Sequence, residues 1–196
     1  MNQSFAVWLL ILLSLVTANL PFLVERPFLA LPWKQKGEVE QPAWLMWLSS
    51  LIFFALLAGL GLAALALIGQ GVFSAADAAS VARFLGLLLA LAAAVALVLA
   101  FPGWRSRGRQ IQKSFFERLL ELLMFYALVG VLGFALEANL GNRFEQGWEF
   151  YAITLSLFLV LGYPGFVWRY LMKRRAAARG ERRGKSDTMA AQQRGV

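Results

Sequence analysis

The chain has 196 residues, of which 60% are hydrophobic and 15% charged, and its formal net charge is +8. Its hydrophobic residues come in long blocks, which is typical of a membrane protein. It contains no cysteine and no histidine, which excludes disulfides, thiol redox chemistry, His-ligated haem, Fe–S clusters and the usual zinc sites. We therefore predict no cofactor and no metal, and any catalysis would depend on carboxylates, Lys, Tyr, Ser or Thr.

Apolar segments long enough to cross a bilayer occur five times, since a hydrocarbon core of about 30 Å needs roughly 20 helical residues. They cover residues 5–20, 44–68, 81–101, 119–136 and 150–171. We predict an all-α membrane protein with one helical domain over residues 1–172 and a basic tail over residues 173–196. The first segment could instead be a signal peptide, but the residues from Met1 to Ala6 lack the positive charge of such a leader.

The Lys and Arg residues alternate along the connections between these segments. They are concentrated in the first connection, the third connection and the tail, and they are sparse elsewhere. Because cytoplasmic loops are richer in Lys and Arg, we predict that the N-terminus lies outside and the C-terminus in the cytoplasm. The tail is expected to bind anionic lipids and to be disordered after Gly184. Nucleic acid is not an expected partner, because no folded nucleic-acid-binding module accompanies the charge.

The first connection opens with the sequence NLPFLVERPF, which begins at Asn19. We predict that Asn19 and Pro21 end the first helix, because Pro21 lacks the N–H for the helical ladder and disfavours helical geometry in the residue before it. Phe22 and the apolar residues after it then predict a segment in the membrane interface, with Trp33 at headgroup depth. An ordinary loop that contains aromatic residues is the alternative.

Two carboxylates of the fourth segment constrain its depth. Glu121 and Glu137 are sixteen residues apart, which is about 24 Å along a helix, so at least one must lie inside a core of about 30 Å. One interpretation is a carboxylate on a proton path or against a charged partner helix. The favoured interpretation is that it snorkels to water, aided by Arg118, whose i,i+3 spacing to Glu121 predicts a local ion pair.

The fifth segment is bracketed by Glu149 and Arg169, twenty residues apart. These charges coincide with aromatic residues that predict anchoring in the two interfaces rather than a ligand site: Trp148, Tyr151, Tyr163, Trp168 and Tyr170. Pro164 frees a carbonyl in the preceding turn and predicts a kink near the cytoplasmic end. Such a kink sets a packing angle, or it forms a niche for quinone or lipid.

Small residues recur at helical spacing on several segments, a pattern that allows close contact between helices. The candidates for helix packing are Gly59, Ala63, Ala92, Ala96, Gly130 and Gly133. Packing among the five segments and packing against another subunit explain the pattern equally well. Gly59→Leu and Gly133→Leu are expected to weaken such an association.

Three segments of the chain resemble a small bacterial inner-membrane family of unknown function. They are NLPFLVERPF, RLLELLMFYALVGVLGFALE and QGWEFYAITLSLFLVLGYPGFVWRYL. The resemblance covers about residues 1–33 and 114–175, and between residues 34 and 113 two extra spans interrupt the three-helix pattern of the family. Genes of that family commonly lie beside those of the membrane subunits of respiratory complex I, the NADH:quinone oxidoreductase. The resemblance thus implies an accessory subunit or assembly factor that contacts membrane subunits of complex I in the inner membrane.

No phosphate loop, catalytic triad or metal cluster is recognisable in the sequence, so we do not expect an enzyme. The alternative function is a small transporter or proton-conducting membrane protein that uses Glu121 and Glu149. No inverted repeat supports transport, and Arg83 is the one ionisable residue of the second and third segments.

Overall fold

The computed structural model describes residues 3–35, 41–69, 78–106, 113–141 and 145–173, and these ranges contain helices but no strand. The helices are α1 Gln3–Leu23, α2 Ala43–Gly69, α3 Ala78–Arg105, α4 Phe115–Asn139 and α5 Trp148–Val167, which continues as a π-helical segment over Trp168–Lys173. All five α-helices belong to segments long and apolar enough to span a membrane. The predicted all-α membrane fold is confirmed, whereas the predicted tail beyond Lys173 lies outside the described residues.

The start of α4 shows why this helix begins earlier than predicted. The Ser114 hydroxyl accepts a hydrogen bond from the Glu117 N–H at 3.2 Å, and the Glu117 carboxylate accepts one from the Ser114 N–H at 2.8 Å. This capping box satisfies backbone donors of the first turn. The helix therefore includes the charged residues that precede its apolar stretch.

The end of α1 differs from the prediction that Asn19 and Pro21 terminate it. Pro21 lies inside the helix, and the Val24 N–H still donates to the Leu20 carbonyl at 2.9 Å. Pro21 removes only its own N–H from the helical ladder, and the helix ends two residues later at Leu23. Burial of Phe22, which is 5% exposed, favours continuation of the helix into the next turn.

The helices pack around α4. Helix α1 contacts α4 and α5 on one side, while α2 contacts α4 on the other side and separates it from α3. One buried cluster lies between α1, α4 and α5 and consists of Ala18, Phe22, Leu122, Phe125 and Phe158. A second lies toward the opposite end of α1 and consists of Ala6, Ile68, Ala135 and Leu136. The described side chains of α3 are mostly exposed or half-buried, so it is a peripheral helix.

The connection between α1 and α2 folds against the helices. Pro27 and Leu29 are buried, and Leu29 belongs to a third cluster together with Phe53 of α2. The Phe28 ring meets the Phe125 ring of α4 edge to face, with centroids 5.4 Å apart. The apolar side chains of residues 27–29 therefore find partners inside the protein, and the position of this segment in the membrane interface stays a prediction. Trp33 is 41% exposed, and its headgroup depth stays a prediction.

Candidate functional site

A cluster of charged residues lies where the end of α1, the start of α4 and the end of α5 meet. It consists of Glu25, Lys113, Arg118, Glu121 and Arg169, which we call the charge cluster. Lys113, Arg118 and Glu121 are buried, although residues of these types are almost never fully buried unless they are paired. The charge cluster is therefore the candidate functional site of the protein.

The Lys113–Glu121 pair connects α4 to the first connection. The Lys113 Nζ lies 2.6 Å from Glu121 Oε2 and donates to the Val24 carbonyl at 3.2 Å. The other carboxylate oxygen, Oε1, accepts from the Phe28 N–H at 2.8 Å. The ammonium also lies 4.8 Å from the centroid of the Phe28 ring, a favourable position for a cation. Burial lowers the pKa of the Lys113 ammonium, and the charge of Glu121 opposes this shift.

Arg118 connects α4 to the end of α1. Its side chain is fully buried, and its Nη1 donates to the Pro21 carbonyl at 2.5 Å. Its Nη2 donates to Glu25 Oε2 at 3.3 Å. Arg169 donates to both oxygens of the same carboxylate, one bond being 2.8 Å long. Glu25 thus bridges two arginines and ties the end of α5 to the other two elements.

These contacts correct two interpretations of the sequence. The predicted i,i+3 ion pair between Arg118 and Glu121 is wrong, because each residue pairs with a partner from outside α4. The snorkelling interpretation is wrong for Glu121, whose exposed fraction is 2%. A buried cation and a backbone N–H reach its carboxylate inside the protein, so the side chain has no need to extend to water.

Asn19 links α1 to α5 at the predicted kink. Its Nδ2 donates to the Leu161 carbonyl at 2.9 Å, and its Oδ1 accepts from the Gly165 N–H at 2.7 Å. Pro164 lies between these two groups inside α5 and supplies no N–H of its own. The Asn19 amide therefore binds α5 on both sides of the proline, and the backbone becomes π-helical from Trp168 onward.

Two glycines of α5 make this close approach possible. A Cβ on Gly165 would lie 2.8 Å from Asn19 Oδ1 and 3.2 Å from the Asn19 carbonyl oxygen. A Cβ on Gly162 would lie 3.0 Å from the Ala18 carbonyl oxygen. Neither glycine is among the predicted helix-packing candidates, although two glycines three residues apart beside Pro164 are a signal of close packing.

The predicted small-residue candidates contribute little to packing within the chain. A Cβ on Gly59 or Gly130 would meet no atom within 4 Å, and one on Gly133 would touch Leu10 at an ordinary 3.7 Å. Ala92 and Ala96 of α3 are exposed, and Ala63 of α2 is half-buried. The interpretation that these residues pack against another subunit is left untested.

The remaining predicted residues of α5 lie on its surface. Glu149 is exposed, and so are most of the aromatic residues predicted as anchors, Trp148, Tyr151, Tyr163 and Trp168. Tyr170 is half-buried, and its ring contacts the Phe166 ring at a tilt of 36°, with centroids 4.8 Å apart. Glu149 begins α5 at the end opposite the charge cluster, so the structure does not bring it together with Glu121.

Within the described ranges, no group of three or more carboxylates is placed to hold a metal ion. What the charge cluster can do chemically follows from its bonds. Lys113 and Glu121 neutralise each other, and their remaining hydrogen bonds go to the backbone of residues 24–28. These bonds hold together the chain before α4, α4 itself and residues 24–28.

The family model described as "Protein of unknown function (DUF2818)" matches residues 6–108 and 87–173. These matches run through residues 34–113, so the expectation that the family resemblance leaves this region uncovered is wrong. No curated protein and no solved structure matches the chain. Since the two matched ranges together span residues 6–173, the chain belongs to the family of proteins of unknown function DUF2818.

Proposed function

We propose that this protein is a scaffold without catalysis of its own, an accessory subunit or assembly factor that packs against the membrane arm of respiratory complex I. The resemblance of three sequence segments supports the choice of complex I. The charge cluster supports the scaffold role, because its buried charges are bound to one another and to backbone groups. That single observation favours a structural use of these residues over a chemical one.

The same cluster supports an orientation for the chain in the bacterial inner membrane. It joins the end of α1, the start of α4 and the end of α5 on one side of the helices, the side where the sequence concentrates Lys and Arg. By the positive-inside rule this side is cytoplasmic, with the N-terminus outside and the basic tail in the cytoplasm against anionic lipids.

A groove between α2 and α4 offers a surface for the partner. It has a volume of about 950 Å³ and is almost entirely apolar. Small residues form part of its lining, namely Ala58, Gly61 and Ala127, between larger ones such as Trp47, Phe54, Leu62 and Leu123. Small residues between bulky ridges allow a transmembrane helix to approach closely. We propose that a helix of a complex I membrane subunit occupies this groove.

Purification in a gentle detergent through a C-terminal tag, followed by mass spectrometry and an NADH oxidation assay, tests the proposal. Stoichiometric recovery of NADH:quinone oxidoreductase subunits identifies an accessory subunit, and substoichiometric recovery with assembly intermediates identifies an assembly factor. Recovery of the protein alone, or with a different membrane complex, contradicts the assignment to complex I.

Ala58→Leu tests the groove itself. Ala58 is exposed and lines the groove, so the larger side chain should occupy space needed by the partner helix. We expect the recovered complex to decrease about tenfold, which corresponds to about 1.4 kcal/mol of binding free energy. Ala66→Leu on the same helix is the matched control, since Ala66 is exposed but outside the groove. Equal recovery with both variants would show that the groove is not the interface.

A transporter or proton-conducting protein that uses Glu121 is the second candidate function. The buried position of Glu121 favours it, whereas the occupation of both carboxylate oxygens by Lys113 and Phe28 disfavours it. Flux through proteoliposomes separates the two functions. Loss of flux in Glu121→Gln, with the fold retained, would support transport and contradict a purely structural role.

A further inference from the structure

A cleft between α1, α4 and α5 adjoins the groove between α2 and α4, and Ala127 and Val131 of α4 line both. It has a volume of about 500 Å³, which is within the range of pockets that hold small molecules. Its lining is overwhelmingly apolar and includes Leu10, Ile11, Val129, Phe134, Leu157 and Leu161. Because these residues belong to membrane-spanning segments, an apolar ligand is the expected occupant.

The depth of the cleft depends on a glycine of α4. Gly130 lines it, and a Cβ built on this residue would meet no atom within 4 Å. The missing side chain is therefore space in the cleft and not a close contact with a neighbouring helix. A large side chain at position 130 would fill this space without displacing a packed neighbour.

Two hydroxyl groups of the cleft, those of Tyr126 and Thr154, are hydrogen-bonded within the protein. The Tyr126 and Thr154 hydroxyl oxygens lie 2.8 Å apart. The Thr154 hydroxyl donates to the Phe150 carbonyl at 2.8 Å, so the single proton of the Tyr126 hydroxyl is shared between the Thr154 oxygen and the Tyr151 carbonyl, which lies 3.1 Å away. An apolar chain can therefore lie across them without leaving a buried polar group unpaired.

One end of the cleft has a different character because Glu137 lines it. This side chain is half-buried, two residues before the end of α4, and no described residue forms an ion pair or hydrogen bond with its carboxylate. The C-terminal end of a helix, where Glu137 lies in α4, also carries a partial negative charge. The apolar cleft thus ends at a negative site near the membrane surface, which attracts a cationic group and repels an anionic one.

From this combination we infer that the cleft binds a phospholipid with a primary ammonium headgroup, a phosphatidylethanolamine. One acyl chain occupies the apolar region over Gly130, and the ammonium donates a hydrogen bond to Glu137. An ammonium has three N–H donors, whereas a choline headgroup has none and a glycerol headgroup leaves the lipid anionic. The inference does not depend on complex I. The cleft lies between α1, α4 and α5, whereas the groove proposed to bind a complex I subunit lies between α2 and α4.

Native mass spectrometry of the delipidated full-length protein tests this inference. The protein is titrated with phosphatidylethanolamine, phosphatidylcholine and phosphatidylglycerol that carry identical acyl chains. We expect phosphatidylethanolamine to bind about tenfold more tightly than phosphatidylglycerol. Gly130→Leu should weaken its binding to a similar extent. Glu137→Gln should retain a bound lipid and lose the preference between headgroups.

Gly59→Leu is the matched control, because Gly59 is also a helical glycine with open space around it but lies outside the cleft. Phosphatidylethanolamine with a photoreactive acyl chain gives an independent readout on the wild-type protein, and crosslinks should map to the cleft-lining residues of α1, α4 and α5. Equal affinity for all three lipids would overturn the headgroup assignment. Unchanged binding in Gly130→Leu, or crosslinks confined to other surfaces, would overturn the site.

Discussion

Glu121→Ala is expected to lower the free energy of unfolding by about 3–5 kcal/mol, the range observed when one partner of a buried ion pair is removed. The substitution leaves the Lys113 ammonium buried without its counterion and the Phe28 N–H without its acceptor. Reversible unfolding in mixed detergent micelles, followed by circular dichroism, measures the change. Glu149→Ala is the matched control, because it removes the same group from an exposed position, and it should change stability by less than about 0.5 kcal/mol.

The double variant Lys113→Met, Glu121→Leu should recover part of this loss, since apolar residues of similar size need no counterion. The recovery should be incomplete, because the Phe28 N–H lacks its acceptor in both variants and the Val24 carbonyl also loses its donor in the double variant. A double-mutant cycle completed with Lys113→Met and Glu121→Leu gives the coupling between the two side chains. Additive effects of the two single substitutions would contradict a direct interaction between these residues.

Gly165→Ala is expected to destabilise the protein by about 1–3 kcal/mol, the usual cost of adding a methyl group where atoms are already in contact. The new Cβ would lie 2.8 Å from Asn19 Oδ1 and 3.2 Å from Phe22 Cβ. The Asn19 side chain can rotate away, but it then loses its hydrogen bonds to Leu161 and Gly165. Thermal unfolding in detergent, monitored by tryptophan fluorescence, reports the loss.

Gly130→Ala is the control for this substitution, because it adds the same methyl group where no atom lies within 4 Å. It should leave stability unchanged or raise it by up to about 1 kcal/mol through helix propensity. Asn19→Ala and Gly165→Ala should be strongly non-additive, since both disrupt the same contact between α1 and α5. Equal effects of the two alanine substitutions at positions 165 and 130 would contradict the close approach of α1 to α5.

The helices themselves could be predicted because a membrane-spanning helix needs only local information. A long uninterrupted apolar run satisfies its own backbone hydrogen bonds as a helix, whatever lies beside it. The boundaries were less accurate where a local rule competed with tertiary contacts. Pro21 is a correct local signal for a helix end, but burial of Phe22 extends α1 beyond it. The early start of α4 was visible in the spacing of Ser114 and Glu117, a capping-box pattern.

The partners within the charge cluster could not be read from local spacing. Arg118 and Glu121 are close in sequence, yet they bind Glu25 and Lys113 respectively. The bond between Arg169 and Glu25 joins residues 144 positions apart. For both arginines the partner is Glu25, and that pairing depends on which helix ends meet, about which local patterns carry no information.

The glycines illustrate the same division between local pattern and tertiary contact. Sequence alone established a membrane protein with five apolar helices and no histidine or cysteine chemistry, because composition and run length act locally. Only the packing of the helices decided that Gly162 and Gly165 contact α1 while Gly59 and Gly130 face open space. A glycine removes a side chain wherever it occurs, but the rotation of its helix about the long axis determines whether a neighbour fills the space.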